Sequence, residues 1–314
     1  MRIAIIGTGG VARRHLAVLR QLEEAAIVGH VSSEPARAAA QAAEWGGSAY
    51  SRLVDLLDQA RPDAVWICVT PDRHGSLELE LIARDIPFFV EKPLSTGVSI
   101  PESVARALVH AGGPITAVGY KFRGLDTLPR VRELLDEHPP RMVLAFWHDS
   151  LPPPAWWRRA ERSGGQMVEQ ATHLLDLARF LVGEAQVASA MDGRWPRADA
   201  PDADVPDVSA CLLRFDTPSG PIPGLVSATS LLRGHGSIEL QLICERRLLR
   251  LSERCLRVEN GISVQEFPSI SDPFLVEDRA FLNAIRTEDA SRVLCSYADA
   301  LESHRLACAV RDMS

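Results

Sequence analysis

The chain has no excess of basic charge, no long apolar run and no cluster of cysteines, and each absence removes a class of function. Lys and Arg total 34 against 41 Asp and Glu, for a formal charge of −7, and no stretch is densely basic. Nucleic acid and anionic membrane surfaces are therefore not expected partners. No apolar run approaches the roughly 18 residues of a spanning helix. The first apolar strand begins at Arg2, so no signal peptide is predicted. Cys68, Cys211, Cys244, Cys255, Cys295 and Cys308 are scattered, without a C-x-x-C pair or a Cys/His group. That predicts no metal site and no disulfide framework, and it suits a reducing cytoplasm. Low-complexity segments and internal repeats are also absent. What is present, 46% hydrophobic and 24% charged residues over 314 positions, suffices for two domains with a core each.

Up to Gly119 the pattern alternates strand and helix. Short continuous apolar runs at 2–6, 26–32, 64–69, 87–90 and 115–119 read as parallel strands covered on both faces. Helical stretches are expected near 10–24, 35–45, 51–60, 73–84 and 100–111, the last opened by the capping box Ser99-Ile100-Pro101-Glu102. Such alternation predicts a parallel sheet with right-handed crossovers. After Gly119 the spacing predicts a helix at 126–137, a strand at 141–148, a helix at 165–182 and strands over 186–259. Ile238, Leu240, Leu242 and Cys244 alternate with polar positions, as in an antiparallel sheet with one solvated face. Residues 194–207 read as a surface loop, and helices at 274–287 and 296–311 close the chain. The expected fold is α/β: a dinucleotide domain over 1–119, then an α+β domain over 120–314 with a large open sheet.

The first strand runs into Gly7-Thr8-Gly9-Gly10-Val11-Ala12. Gly7 permits a tight turn, Gly9 lets the backbone approach a pyrophosphate, and Ala12 allows close packing of helix on strand. Amides at the helix start then face the phosphates. At the end of the second strand, where an acid would hold the ribose of NAD, stand Ser32 and Ser33, with Arg37 one helical turn on. Hydroxyls plus a guanidinium suit a 2′-phosphate, which favours NADP over NAD. Two alternatives compete: Ser33 caps the following helix, or Glu34 reaches a ribose.

Other strand ends carry chemistry as well. Thr70-Pro71-Asp72-Arg73-His74 places His74 either toward the ligand or on the surface. The strand at 87–90 ends in Glu91-Lys92-Pro93, where the proline stiffens the loop behind an ammonium. Partial desolvation of Lys92 would suit it to bind or polarise a substrate oxygen. On a continuous helix from Gly164-Gly165, the residues Gln166, Glu169, His173 and Asp176 share a face opposite Met167, Ala171, Leu174, Ala178 and Leu181. Glu169 and His173 stand four apart, so the carboxylate can orient a general acid/base imidazole; the alternative is a solvated helix face bearing an ion pair.

Gly7-x-Gly9-x-x-Ala12, Pro71-x-x-His74, Glu91-Lys92-Pro93 and Gly164-Gly165-x-x-x-Glu169-x-x-x-His173-x-x-Asp176, in this order and spacing, resemble the Gfo/Idh/MocA family. The likeness extends to the closing Phe281-x-x-Ala284-Ile285 helix. It implies a Rossmann domain, a C-terminal domain with a mainly antiparallel sheet, and a homodimer or homotetramer joined through those sheets. It also implies NAD(P)-linked hydride transfer at a hydroxyl or keto carbon of a sugar, cyclitol or related polyol. Lys92 and His173 become the catalytic pair, and Glu169 stands where inositol-dehydrogenase-like members carry aspartate. Thr70, Pro71, His74, Glu91 and Pro93 join the cofactor site, Tyr120, Lys121 and Arg123 fall where members meet cofactor or substrate, and Trp156, Trp157 and Arg158 are expected as a substrate wall before the glycine pair. A glycosidase that cycles its cofactor internally and a non-catalytic sensor are the rival functions on the same fold.

Overall fold

Six parallel strands form the first sheet: β1 (Arg2–Ile6), β2 (Ala26–Val31), β3 (Ser48–Tyr50), β4 (Ala64–Ile67), β5 (Phe88–Val90) and β6 (Thr116–Val118). Their order is β3-β2-β1-β4-β5-β6 in a computed structural model that describes every residue except position 235. Crossover helices α1 (Gly10–Leu19), α2 (Pro35–Trp45), α3 (Leu53–Ala60), α4 (Ser76–Ala83) and α5 (Ser99–Ala111) connect them. β1 and β4 are the central strands, and Ile3, Ile5, Val65 and Trp66 are fully buried. That is why both strands read as unbroken apolar runs. Chain order reverses between β1 and β4, and ligands of open α/β sheets bind beyond the carboxyl ends at such a switch point.

Several boundaries differ from the sequence reading for local reasons. β3 is a three-residue strand at the sheet edge, Ser48-Ala49-Tyr50, with no apolar run to announce it. α1 stops at Leu19, and the next residues fold into turns (Gln21 N–H to Val18 O, 2.9 Å) rather than continuing to residue 24. α4 begins only at Ser76, because Gly75 takes φ +107° and splits off a short turn at Pro71–Arg73.

The second unit contains α6 (Leu128–Glu137), β7 (Pro140–His148), α7 (Ala160–Ser163), α8 (Gln166–Glu169) and α9 (Thr172–Val182), followed by β8 (Ala185–Gly193), β9 (Val208–Phe215), β10 (Ile222–Thr229), β11 (Ile238–Cys244), β12 (Arg247–Leu251), β13 (Cys255–Glu259) and β14 (Val264–Pro268). The strands make one sheet ordered β14-β13-β12-β11-β7-β10-β9-β8, antiparallel except where β10 runs parallel to β7. Along β9, Cys211, Leu213 and Phe215 enter the core while Ala210, Leu212 and Arg214 point away. Leu134, Leu174 and Ala178 from α6 and α9 lie in the same apolar core as those inward residues.

Helices α10 (Pro273–Thr287) and α11 (Tyr297–Met313) close the chain. The division at Gly119 groups everything from 120 onward together. In the structure the first compact unit takes in Met1–Ser95, Ser99–Lys121 and Asp272–Leu301, and the second takes Thr96–Val98, Phe122–Ser271 and Glu302–Ser314. α10 thus belongs to the nucleotide-type unit, where its fully buried Phe281 stands 5.2 Å from the ring of Trp66 and 5.9 Å from that of Phe89.

Candidate active site

The glycine loop has the shape its sequence requires. Gly7 sits at φ +109°, and a Cβ there would lie 2.1 Å from the Cys68 carbonyl oxygen. Nothing stands within 4 Å of where Gly9 and Gly10 would carry theirs, so the backbone at the start of α1 faces open space. The first turn of α1 has no acidic residue, which leaves the positive end of the helix dipole to an anion. Ala12 is fully buried. A buried bracket supports the turn: the Gln41 amide donates to Gly7 O (3.1 Å) and to His30 Nδ1 (3.0 Å), while His30 Nε2 donates to Gly46 O (2.8 Å). Burial pushes the His30 imidazole down, which keeps it in the neutral form this pattern needs.

Beside the loop, at the end of β2, the Oγ of Ser32 accepts from the Glu34 amide (3.2 Å), and Glu34 rather than Ser33 occupies the cap position of α2. Arg37 donates to Glu34 Oε1 (3.1 Å) and to the carbonyl of Thr8 within the glycine loop (3.2 Å). From the other side of β1, Arg73 donates to Ser33 Oγ (3.3 Å). Pro71 is buried beyond β4, and so is His74, whose Nδ1 lies 2.6 Å from Glu78 Oε1. The surface alternative for His74 is thereby removed.

Past β5, Glu91 is buried, Lys92 is half-buried and Pro93 follows through a cis peptide bond. Glu91 Oε2 accepts from the Lys92 amide (3.1 Å), and Glu91 Oε1 lies 2.9 Å from His15 Nε2. His15 Nδ1 meets Asp278 (2.9 Å), which also accepts from Trp66 Nε1 (2.9 Å). Burial alone would lower the His15 imidazole, but the charges and hydrogen bonds of Asp278 and Glu91 outweigh it and hold the group well above its ordinary value. Glu277 lies close by: His15, Glu91 and Glu277 each bring a polar atom within 4.8 Å of the others. Burial, aided by the Glu91 charge, pushes the Glu277 carboxyl well up. Sequence reasoning missed this cluster, although the signal was available. His15 falls on the apolar face of α1 with Ala12, Leu16 and Leu19, and Glu277 and Asp278 fall on the stripe of α10 that holds Phe281.

In the second unit the continuous helix expected over 165–182 is interrupted. Gly164 and Gly165 adopt φ +78° and +83°, and α8 lasts only to Glu169. The Ala171 amide reaches back to Gln166 O (2.9 Å), a π-type turn, before α9 starts at Thr172. The solvated helix face of the alternative reading is absent, since Gln166, His173 and Asp176 are all buried. Glu169 accepts from Trp157 Nε1 (2.8 Å). The His173 ring stands 5.1 Å from that of Phe122 and 5.9 Å from that of Trp147, two neighbours the sequence did not suggest. Asp176 receives a fork from Arg123 (2.6 and 2.8 Å) and a bond from Ser303 (2.6 Å). Arg123 and Trp157, expected at the substrate, are buried, and their side chains donate to Asp176 and Glu169. Tyr120 is packed in the apolar core of the first unit, and Lys121 lies over the ring of Phe274 (5.3 Å).

Residues 1–120 match the family model described as an oxidoreductase family with an NAD-binding Rossmann fold, and residues 131–250 match the GFO/IDH/MocA C-terminal domain. The chain belongs to the Gfo/Idh/MocA family of oxidoreductases. An inositol 2-dehydrogenase 2 of Saccharopolyspora erythraea is 28% identical over 191 residues, which is 60% of this chain and 56% of that protein. The match thus spans little more than half the length of this curated relative. Among solved structures, KijD10, a 3-ketoreductase from Actinomadura kijaniata in complex with NADP and TDP-benzene, superposes with a TM-score of 0.86 at 18% identity, covering 100% of this chain and 97% of its own. The WlbA dehydrogenase from Bordetella pertussis, in complex with NADH and UDP-GlcNAcA, gives 0.82 at 20% identity over 99% of this chain and 97% of its own. At such identities the structural likeness speaks for the fold.

Proposed function

We propose that the chain is an NADP-preferring oxidoreductase that moves a hydride between nicotinamide and a hydroxyl or keto carbon of a sugar, cyclitol or related polyol. One observation carries this reading. A glycine loop that opens onto free space and a half-buried lysine stand at carboxyl ends of the same parallel sheet. Amides of Gly9, Gly10 and Val11 would hold the diphosphate. Ser32, Ser33 and Arg37 would hold the adenosine ribose and its 2′-phosphate, and Thr70, Pro71, His74 and Pro93 would line the path to the nicotinamide. When bound, the nicotinamide supplies the hydride acceptor or donor.

The protein's own groups manage the proton. Lys92 hydrogen-bonds the reacting oxygen and stabilises charge there, while its backbone is fixed through Glu91. His173, framed by two aromatic rings, takes or returns the hydroxyl proton, and Glu169, fixed by Trp157, supports it or binds a neighbouring hydroxyl. Inositol and sugar-nucleotide chemistry among the relatives supports the substrate class. The open face of the second sheet, with half-exposed Leu212 and Leu225, suits a homo-oligomer, to be checked by light scattering. The six free thiols suit a reducing compartment, which fractionation would verify.

The test is a panel of polyols, cyclitols and sugar nucleotides offered with NADP⁺ and NAD⁺ to pure protein. Stoichiometric cofactor reduction by a member of the panel is expected. Cleavage of aryl glycosides without net reduction would instead mark the internally cycling glycosidase. Cofactor binding with neither activity would leave the sensor.

A further inference from the structure

Resting on the reading that this loop binds a nicotinamide dinucleotide, we propose that Arg73 is a specificity-determining residue: the second guanidinium of a site for the adenosine 2′-phosphate, brought from β4 to the end of β2. β2 and β4 both neighbour β1, so their ends flank the glycine loop on either side. Arg37 approaches from the first turn of α2 and touches the loop through Thr8 O; Arg73 approaches from the turn after β4 and touches Ser33 Oγ. Two guanidiniums and two serine hydroxyls thus gather where the adenosine ribose of a dinucleotide lies in this fold.

The charge there favours phosphate. A phosphate monoester carries about −1.5 to −2 charges near neutral pH and three strong acceptor oxygens. Two forked donors match it, whereas a ribose diol calls for an acceptor. The carboxylate nearest the serines, Glu34, is two-thirds exposed and already paired with Arg37. No basic residue directly follows Ser32 and Ser33 on the β2 turn, where Glu34 and Pro35 stand instead. Arg73 supplies that charge from another strand, which is why its place in the sequence, forty residues away, did not disclose it.

Binding measurements need no knowledge of the substrate. Wild type and Arg73→Ala would be titrated with NADPH, NADH, 2′,5′-ADP and 5′-AMP, with thermal melting to confirm folding; Arg73 is solvent-exposed, so the variant is expected to melt like wild type. Wild type is expected to bind NADPH at least tenfold more tightly than NADH. In Arg73→Ala, NADPH and 2′,5′-ADP should weaken about tenfold or more, as for loss of a charged hydrogen bond, while NADH and 5′-AMP stay within about twofold. If wild type prefers NADPH but Arg73→Ala weakens all four ligands equally or none of them, Arg73 has no such role, and the NADP reading stands without it. If wild type prefers NADH or binds neither dinucleotide, the proposal falls together with the reading beneath it.

Discussion

Gly7 and Gly9 sit two residues apart in one loop, yet their surroundings make them respond differently to the same added methyl group. At Gly7 the backbone is left-handed and the new Cβ would overlap the Cys68 carbonyl, so Gly7→Ala should destabilise the protein by at least about 2 kcal/mol in urea unfolding. Gly9 has an ordinary φ of −81° and free space alongside, so Gly9→Ala should melt close to wild type. Its methyl would nevertheless enter the space reserved for the diphosphate, and NADPH affinity should fall at least about tenfold, because the approaching phosphate loses its closest amide contacts. Unchanged affinity in a folded Gly9→Ala protein would show that the cofactor lies elsewhere. At this scale the loop was legible through its context, because the glycines follow a strand and open a helix in a βαβ unit. Arg73 and Trp147 were not, because their partners, Ser33 and His173, belong to other parts of the chain.

Among the secondary elements, α1, β5 and α10 meet at the cluster of His15, Glu91, Glu277 and Asp278. His15 joins the helix that starts at the glycine loop to Glu91, just past the end of β5 and next to Lys92, and Asp278 fixes it from α10. Glu277 shares this space, with Lys121 and Cys68 also nearby, and its folded-state proton is held more tightly than its unfolded one. Such a group binds more protons in the native state, so it causes stability to fall as pH rises above its unfolded value of about 4.5 until the folded value is passed. Glu277→Gln removes that dependence. The variant should gain on wild type in melting temperature as pH rises from about 5 to about 8, with little difference at the acid end. A pH-independent difference would mean that Glu277 does not carry a proton into the fold. The continuous helix read over 165–182 failed at this scale because a π-type turn at Ala171 leaves no trace in apolar periodicity, and because α9 is buried nearly all round.

For the whole molecule, alternation of strand and helix up to Gly119 and alternation of residues along Ile238–Cys244 were enough to read the two architectures correctly. The return of α10 to the nucleotide-type unit was not legible, since an amphipathic helix does not declare which core it joins. The proposed chemistry assigns one role to Lys92, past β5, and another to His173, on α9. Both roles are tested most directly by single-turnover reduction of an active keto substrate, comparing wild type with Lys92→Ala and His173→Ala at saturating NADPH. Both variants are expected to bind NADPH within about twofold of wild type and to transfer hydride at least about a hundredfold more slowly, the lower range for loss of a positioned acid/base group. Transfer at the wild-type rate by either variant would contradict that assignment.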